Sequence, residues 1–187
     1  LSGDEAYRTE WLQTARGAIE RLSNHPCVST WVVFNESWGQ FSSQEMTDQL
    51  RTLDSTRPFV ATSGWYDQGA GDFFAVHNYF RTMRVYRDPH RGFLQRRASR
   101  AFLIDEFGGL TCPVEGHVSV PDITYGYDAY QDLDAWRVAL QELLAEVDAL
   151  EADGLAGFVY TQVSDVEEET NGLLTYDRRV NKLERKE

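Results

Sequence analysis

Trp31-Val32-Val33-Phe34-Asn35-Glu36 is an apolar run that stops on a carboxylate, and Ala101-Phe102-Leu103-Ile104-Asp105-Glu106 repeats the arrangement seventy positions later. Short, continuous apolar runs bounded by polar residues read as strands buried on both faces, which is the habit of parallel sheets. Parallel strands all emerge at one end, so glutamates placed there stand on one face of the sheet. One carboxylic acid and one carboxylate flanking an acetal are the equipment for cleaving a glycosidic bond.

Outward from these runs, apolar spacing alternates between helix and strand. Tyr7, Trp11, Ala15, Ala18-Ile19 and Leu22 recur at helical intervals, predicting a helix over 4–22 that Asn24-His25-Pro26 ends. A strand over about 30–35 follows. Ser42-x-x-Glu45 reads as a capping box, with Met46, Leu50 and Leu53 as the buried stripe of the next helix. Thr56-Arg57-Pro58 breaks that helix before strands over 59–63 and 73–79. A broken helical stretch, interrupted at Asp88-Pro89-His90 and resuming over 93–99, leads to the strand at 101–104. A loop over about 108–126 precedes a long helix marked by Leu133, Trp136, Leu140, Leu143-Leu144, Val147 and Leu150, which Gly154 stops. The fifth strand is 157–162, and the polar remainder reads as turns with a frayed, charged tail.

Right-handed crossovers would set these five strands side by side and parallel in a single α/β domain. Their ends read Asn35-Glu36, Ser63-Gly64-Trp65, His77-Asn78-Tyr79, Asp105-Glu106 and Tyr160-Thr161-Gln162. Each apolar run gives way to hydrogen-bonding or aromatic groups at its carboxyl end, where α/β barrels place their chemistry.

Composition narrows the partners. A net charge of −12 argues against nucleic-acid and anionic-membrane binding, which both need a basic footprint. Arg91, Arg96, Arg97 and Arg100 cluster, and read as a solvated helix face. No apolar run approaches the ~20 residues of a membrane span. Cys27 and Cys112 lack CxxC spacing and a ligand set, so free thiols are expected, with a disulfide as the alternative. His25, His77, His90 and His117 show no metal-ligand spacing, and neither a metal nor a cofactor is expected. Aromatics make up 13% of the chain, which suits either a large core or the apolar face of a sugar ring.

At these strand ends the chain resembles glycoside hydrolase family 2, the family of β-galactosidases, β-glucuronidases and β-mannosidases. Asn24-His25-Pro26 followed by Trp31 to Asn35-Glu36-Ser37 is similar to the family's acid/base segment, and Glu106-Phe107-Gly108-Gly109 to its nucleophile segment. Gly157-Phe158-Val159-Tyr160-Thr161-Gln162, with Asp165, Glu167, Asn171-Gly172-Leu173-Leu174 and Tyr176-Asp177-Arg178, resembles its closing strand and tail. The likeness runs from about residue 4 to 182. It implies a partial (β/α)8 TIM barrel, strands four to eight with their helices, over 1–187. Strands one to three and the N-terminal β-sandwich domains would then lie outside this chain. The start at Leu1, without Met, reads the same way.

The resemblance implies a retaining exo-β-glycosidase of β-galactosidase type, acting on a carbohydrate substrate. Glu36 would be the acid/base, needing a raised pKa from partial burial, and Glu106 the nucleophile, with Asp105 as its local rival. A retaining pair would stand ~5–5.5 Å apart. Asn35 would donate to the sugar 2-hydroxyl and Tyr79 would hydrogen-bond the nucleophile. His77 or Asn78 would reach a substrate hydroxyl, only one of two successive strand residues pointing inward. Trp65 and Tyr160 read as sugar platforms or as packing, and Trp38 as a wall of the aglycone side. Asp165, Glu167, Glu168 and Glu169 read as a solvated acidic loop rather than a cation site. Two other readings stand beside this one: an endo-glycanase of the same clan, and a noncatalytic sugar-binding or assembly piece. An isolated five-stranded piece would expose sheet edges around Trp31, Phe34 and 157–162. It would then self-associate or cover those edges with its own helix and tail, and would lack activity.

Overall fold

The spacing of Tyr7, Trp11, Ala15 and Ile19 does form a helix, and its start is held by a side chain. The computed structural model describes residues 3–36, 39–64, 66–79, 83 and 100–184. Helix α1 (Glu5–Leu22) begins at Asp4, whose carboxylate accepts from the backbone N–H groups of Ala6 and Tyr7. Strand β1 (Trp31–Phe34), helix α2 (Ser43–Arg51), β2 (Phe59–Thr62), β3 (Phe73–Asn78), β4 (Ala101–Gly108), β5 (Leu110–Thr111) and β6 (Asp128–Ala129) follow in order. Helix α3 (Leu133–Ala149) runs into a 3-10 turn (Leu150–Asp153), and β7 (Leu155–Thr161) closes the series. Trp38, Trp65, the helical stretch predicted between Asp88 and Ser99, and Arg91, Arg96 and Arg97 lie outside the described residues. No described helix is long and apolar enough to cross a membrane.

The described residues fall into two compact units, one drawn from 3–77 and 100–105, the other from 78, 79, 83 and 106–184. In the first, β1 and β2 pair in parallel with Trp31 opposite Phe59 and Phe34 opposite Thr62. Trp31 and Phe34, expected at an open edge, are taken up by the unit itself. Phe34 is buried with Phe41 and Met46 and stacks on Trp11 at 4.5 Å. Ile19, Leu50 and Phe59 form a second cluster, with Trp11, Trp31 and Leu53 packed around it. The Trp31 indole N–H also donates to Asp54 Oδ2 at 2.9 Å. Beside these, β3 lies against the first half of β4, with Phe74 on Phe102.

Two local expectations give way. Ser42 stands at the start of α2 in the left-handed region (φ 41°) and its side chain caps nothing. A capping oxygen needs extended backbone to reach the next N–H groups, so the capping box is absent although its residues are present. Arg100 is not on a solvated face. It pairs with Asp67 at 2.7 Å and donates to the carbonyls of Ala70 and Phe73, which anchors the loop before β3.

In the second unit the end of β4 lies beside β7. The strand does not close at Asp105-Glu106 as its apolar run implied; it continues to Gly108. Ladder bonding is a backbone property and tolerates polar side chains, and the next residue still donates from Gly109 N to Thr161 O. The loop expected over 108–126 holds β5, which pairs in parallel with β6. Helix α3 starts on Asp132, which accepts from Ala135 N, and buries Trp136 and Leu140 against Leu110 and Cys112. Cys27 and Cys112 are both free thiols.

The tail is not frayed as far as residue 184. Lys182 is fully buried, donating from Nζ to Asp165 Oδ1 at 2.8 Å and to the Thr170 carbonyl at 2.9 Å. Burial raises the Asp165 carboxyl and lowers the Lys182 ammonium from their ordinary values. Asp165 is therefore not a solvated loop residue: it is buried, and an ammonium meets its Oδ1.

Candidate active site

Both glutamates stand where an apolar run ends, and each is held by a residue from a neighbouring strand of its own unit. In the first unit, Glu36 follows β1 by two positions. Its Oε2 lies 2.9 Å from His77 Nδ1, near the end of β3. The other ring nitrogen of His77 lies 2.7 Å from Ser63 Oγ, just past β2, and 3.8 Å from Asp105 Oδ1 on β4. Four strands of this unit thus converge on one imidazole whose side chain is fully buried. The ring nitrogens of His77, one of the two residues expected to reach a substrate hydroxyl, meet Glu36 and Ser63.

Glu36 itself is exposed on its unit rather than half-buried, with 37% of its side chain open to solvent. Backbone geometry makes room for it. Gly64 has φ +102°, and a Cβ there would lie 2.9 Å from Glu36 Cβ and 3.4 Å from His77 Cε1. Only glycine serves at such a position. Asn35 is also exposed, and its carbonyl accepts from Gln40 Nε2 at 3.1 Å.

In the second unit, Glu106 is half-buried on β4. The Tyr79 hydroxyl donates to Glu106 Oε2 at 2.8 Å and lies 2.9 Å from Thr161 Oγ1 at the end of β7. Burial, reinforced by the Glu106 charge, pushes the phenol far above its ordinary pKa, so Tyr79 stays a donor. Asn78, next to Tyr79 in sequence, is buried and turns its amide toward Met83 Sδ. Tyr160 is held in packing: its ring meets Phe107 edge-on at 5.7 Å and its hydroxyl donates to the Asn171 carbonyl.

Several residues of these constellations carry no signature of their own in the sequence. Ser63, Gly64 and Thr161 were visible only as polar or small residues ending an apolar run. Tyr127, whose ring stacks on Tyr79 at 4.4 Å, had no such flag. Gln162 and Asn171 hold the Glu169 carboxylate between two amides, with Gln162 Nε2 donating at 2.8 Å.

Two strand-end carboxylates, one against a histidine and one against a tyrosine, can be compared with known proteins. The family described as glycosyl hydrolases family 2, TIM barrel domain, matches residues 1–184. The chain belongs to glycosyl hydrolase family 2. It is part of that family's (β/α)8 barrel, with β1 to β4 and β7 as strands four to eight and no closed barrel among the described residues. A β-galactosidase of Vibrio cholerae is 33% identical over 72 residues, which cover 38% of this family 2 domain and 7% of that protein. A Bifidobacterium dentium β-glucuronidase, solved with coumarin-3-O-glucuronide, superposes with a TM-score of 0.58 at 18% identity, covering 94% of this chain and 32% of its own. A putative β-galactosidase from Bacteroides fragilis gives 0.57 at 14% identity, covering 91% of this chain and 29% of its own. The family 2 chain therefore spans a minor part of the length of these relatives, and the 18% and 14% identities of the solved structures speak for the fold alone.

Proposed function

We propose that this chain is the C-terminal part of the catalytic domain of a retaining exo-β-glycosidase, of β-galactosidase type. Glu106 is the nucleophile. Its carboxylate attacks the anomeric carbon as the bond to the leaving oxygen breaks, and Glu36 gives that oxygen a proton. Water then attacks the anomeric carbon, Glu36 takes its proton, and the bond to Glu106 breaks to restore the carboxylate. Asn35 is the donor to the sugar 2-hydroxyl, and Asn78 remains a proposed substrate contact.

The observation that carries the reading is the 2.8 Å bond from Tyr79 to Glu106 Oε2. A half-buried phenol, raised well above its ordinary pKa chiefly by burial, donates to the carboxylate and orients it. Membership of family 2 supports the same assignment.

The test is covalent trapping in the full-length protein. An activated 2-deoxy-2-fluoro-glycoside forms the glycosyl-enzyme faster than it is hydrolysed, and peptide mass spectrometry locates the adduct. Glu106 is the expected site. An adduct on Asp105 would reassign the nucleophile, and an active enzyme that is neither inactivated nor labelled would count against a retaining mechanism. A sugar-binding piece without chemistry would give neither inactivation nor adduct. An endo-glycanase would hydrolyse oligomers in preference to aryl monosaccharides.

A further inference from the structure

We propose that Tyr127 is a positioning residue for the Glu106 carboxylate, acting through Tyr79. The inference rests on the reading of Glu106 as nucleophile and adds a residue to which nothing in the sequence assigns a role. The rings of Tyr79 and Tyr127 lie nearly parallel, 15° apart with centroids at 4.4 Å, an offset stack at its closest ordinary approach. Tyr127 reaches that place through backbone. Its N–H donates to the Gly109 carbonyl at 3.2 Å, three residues beyond Glu106 on the same chain.

Gly109 is shaped for this contact. It has φ +68°, and a Cβ there would sit 2.5 Å from Tyr127 Cδ2 and 3.3 Å from Tyr79 Cδ1. The two rings therefore close over a glycine, and its own N–H donates to the Thr161 carbonyl at 3.3 Å. Thr161 in turn meets the Tyr79 hydroxyl. Tyr79 is thus fixed at its ring face by Tyr127 and at its hydroxyl by Thr161 and Glu106. A phenol free to swing would point its donor at Glu106 for only part of the time, and the carboxylate would sample other orientations. Tyr125 meets the Tyr127 ring edge-on at 6.1 Å.

The test is a double-mutant cycle in the full-length protein, assayed with a dinitrophenyl glycoside whose departure needs no protonation. Tyr127→Ala should lower kcat between about ten- and a hundredfold with KM little changed. In the Tyr79→Phe background, Tyr127→Ala should add less than about twofold, because the two residues act as a unit. Tyr127→Leu fills the space without the aromatic face, and serves if the alanine variant does not fold. Fully additive losses would overturn the proposal, since Tyr127 would then act independently of Tyr79. An effect confined to KM would also overturn it, by making Tyr127 a direct sugar contact. The trapping experiment separates the two layers. An adduct on Glu106 with an additive cycle sinks this inference alone, and no adduct there takes the underlying reading down with it.

Discussion

His77 bridges Glu36 and Ser63, with Nδ1 at 2.9 Å from the carboxylate and Nε2 at 2.7 Å from the hydroxyl. The bridge ties three strand ends of the first unit to one ring and commits one oxygen of Glu36. That fixes the orientation of the carboxyl group proposed as the acid/base.

Replacing His77 by alanine should release Glu36 from that orientation. Hydrolysis of glycosides with poor leaving groups should fall by about tenfold or more, as general acid catalysis is worth 10²–10⁴-fold when intact. Dinitrophenyl glycosides should be far less affected in their first step. Leaving-group dependence of kcat/KM for the full-length variant is the measurement, and an equal loss across all leaving groups would count against a role at Glu36.

Gly64→Ala should damage the same group without touching its chemistry. The substitution is strained at φ +102°, and its methyl would collide with Glu36 Cβ at 2.9 Å. The expected result resembles His77→Ala: unactivated substrates suffer most, and azide partly restores turnover of activated ones by replacing water at the glycosyl-enzyme. Activity equal to the parent would mean that the strand end relaxes freely.

The Lys182–Asp165 pair sets a stability prediction. Burial raises the Asp165 carboxyl, so its own contribution is present at low pH and lost as pH rises through the folded value. Burial lowers the Lys182 ammonium, so its own contribution is present at high pH and lost as pH falls through the folded value. Their contact, with the Thr170 carbonyl on the ammonium and the Gly172 N–H on the carboxyl, offsets the cost of desolvating the pair. Lys182→Met alone should cost about 3–5 kcal/mol, by leaving a buried carboxylate unpaired. Adding Asp165→Asn, which can still accept the Gly172 N–H, should recover most of that loss. Melting temperatures of the full-length variants decide the point.

Asp54 predicts an acid limb. It accepts from the Thr56 hydroxyl at 2.6 Å, from Trp31 Nε1 and from Arg57, and these bonds hold its carboxyl well below the ordinary carboxylate range. A depressed folded pKa gives stability that is present above the unfolded value and lost as pH falls through the folded one. Asp54→Asn should therefore lower the urea midpoint at neutral pH and flatten its decline below about pH 4. An unchanged acid limb in the variant would show that other carboxylates control it.

Exposed strand side chains predict association of the isolated chain. Val32 on β1 is 55% exposed, and Phe158 and Val159 on β7 are 41% and 57% exposed. Unpaired strand edges carrying apolar side chains recruit partners. Light scattering should show self-association that Val32→Lys with Val159→Lys reduces, and a nitrophenyl-glycoside assay should show negligible turnover. A monomer with full activity would refute the expectation.

Periodic burial was legible in the sequence because it repeats locally. The stripe from Tyr7 to Ile19, the apolar runs at 31–34 and 101–104, and the stripe from Trp136 to Val147 each encode their element within a few residues. The carboxylates ending two of those runs, with the closing segment from Gly157, were enough to point to the family. The tertiary structure alone decided what depends on residues distant in sequence. Nothing around Lys182 announces burial; its ammonium lies over the Trp136 ring and its partner Asp165 stands seventeen positions back. Nothing around His77 shows that its ring meets Glu36, forty-one positions away. Ser42-x-x-Glu45 has the composition of a capping box, yet backbone at φ 41° removes its geometry. Side-chain periodicity is a local property and is written in the chain, whereas the partner of a buried polar group is set by which strand ends converge.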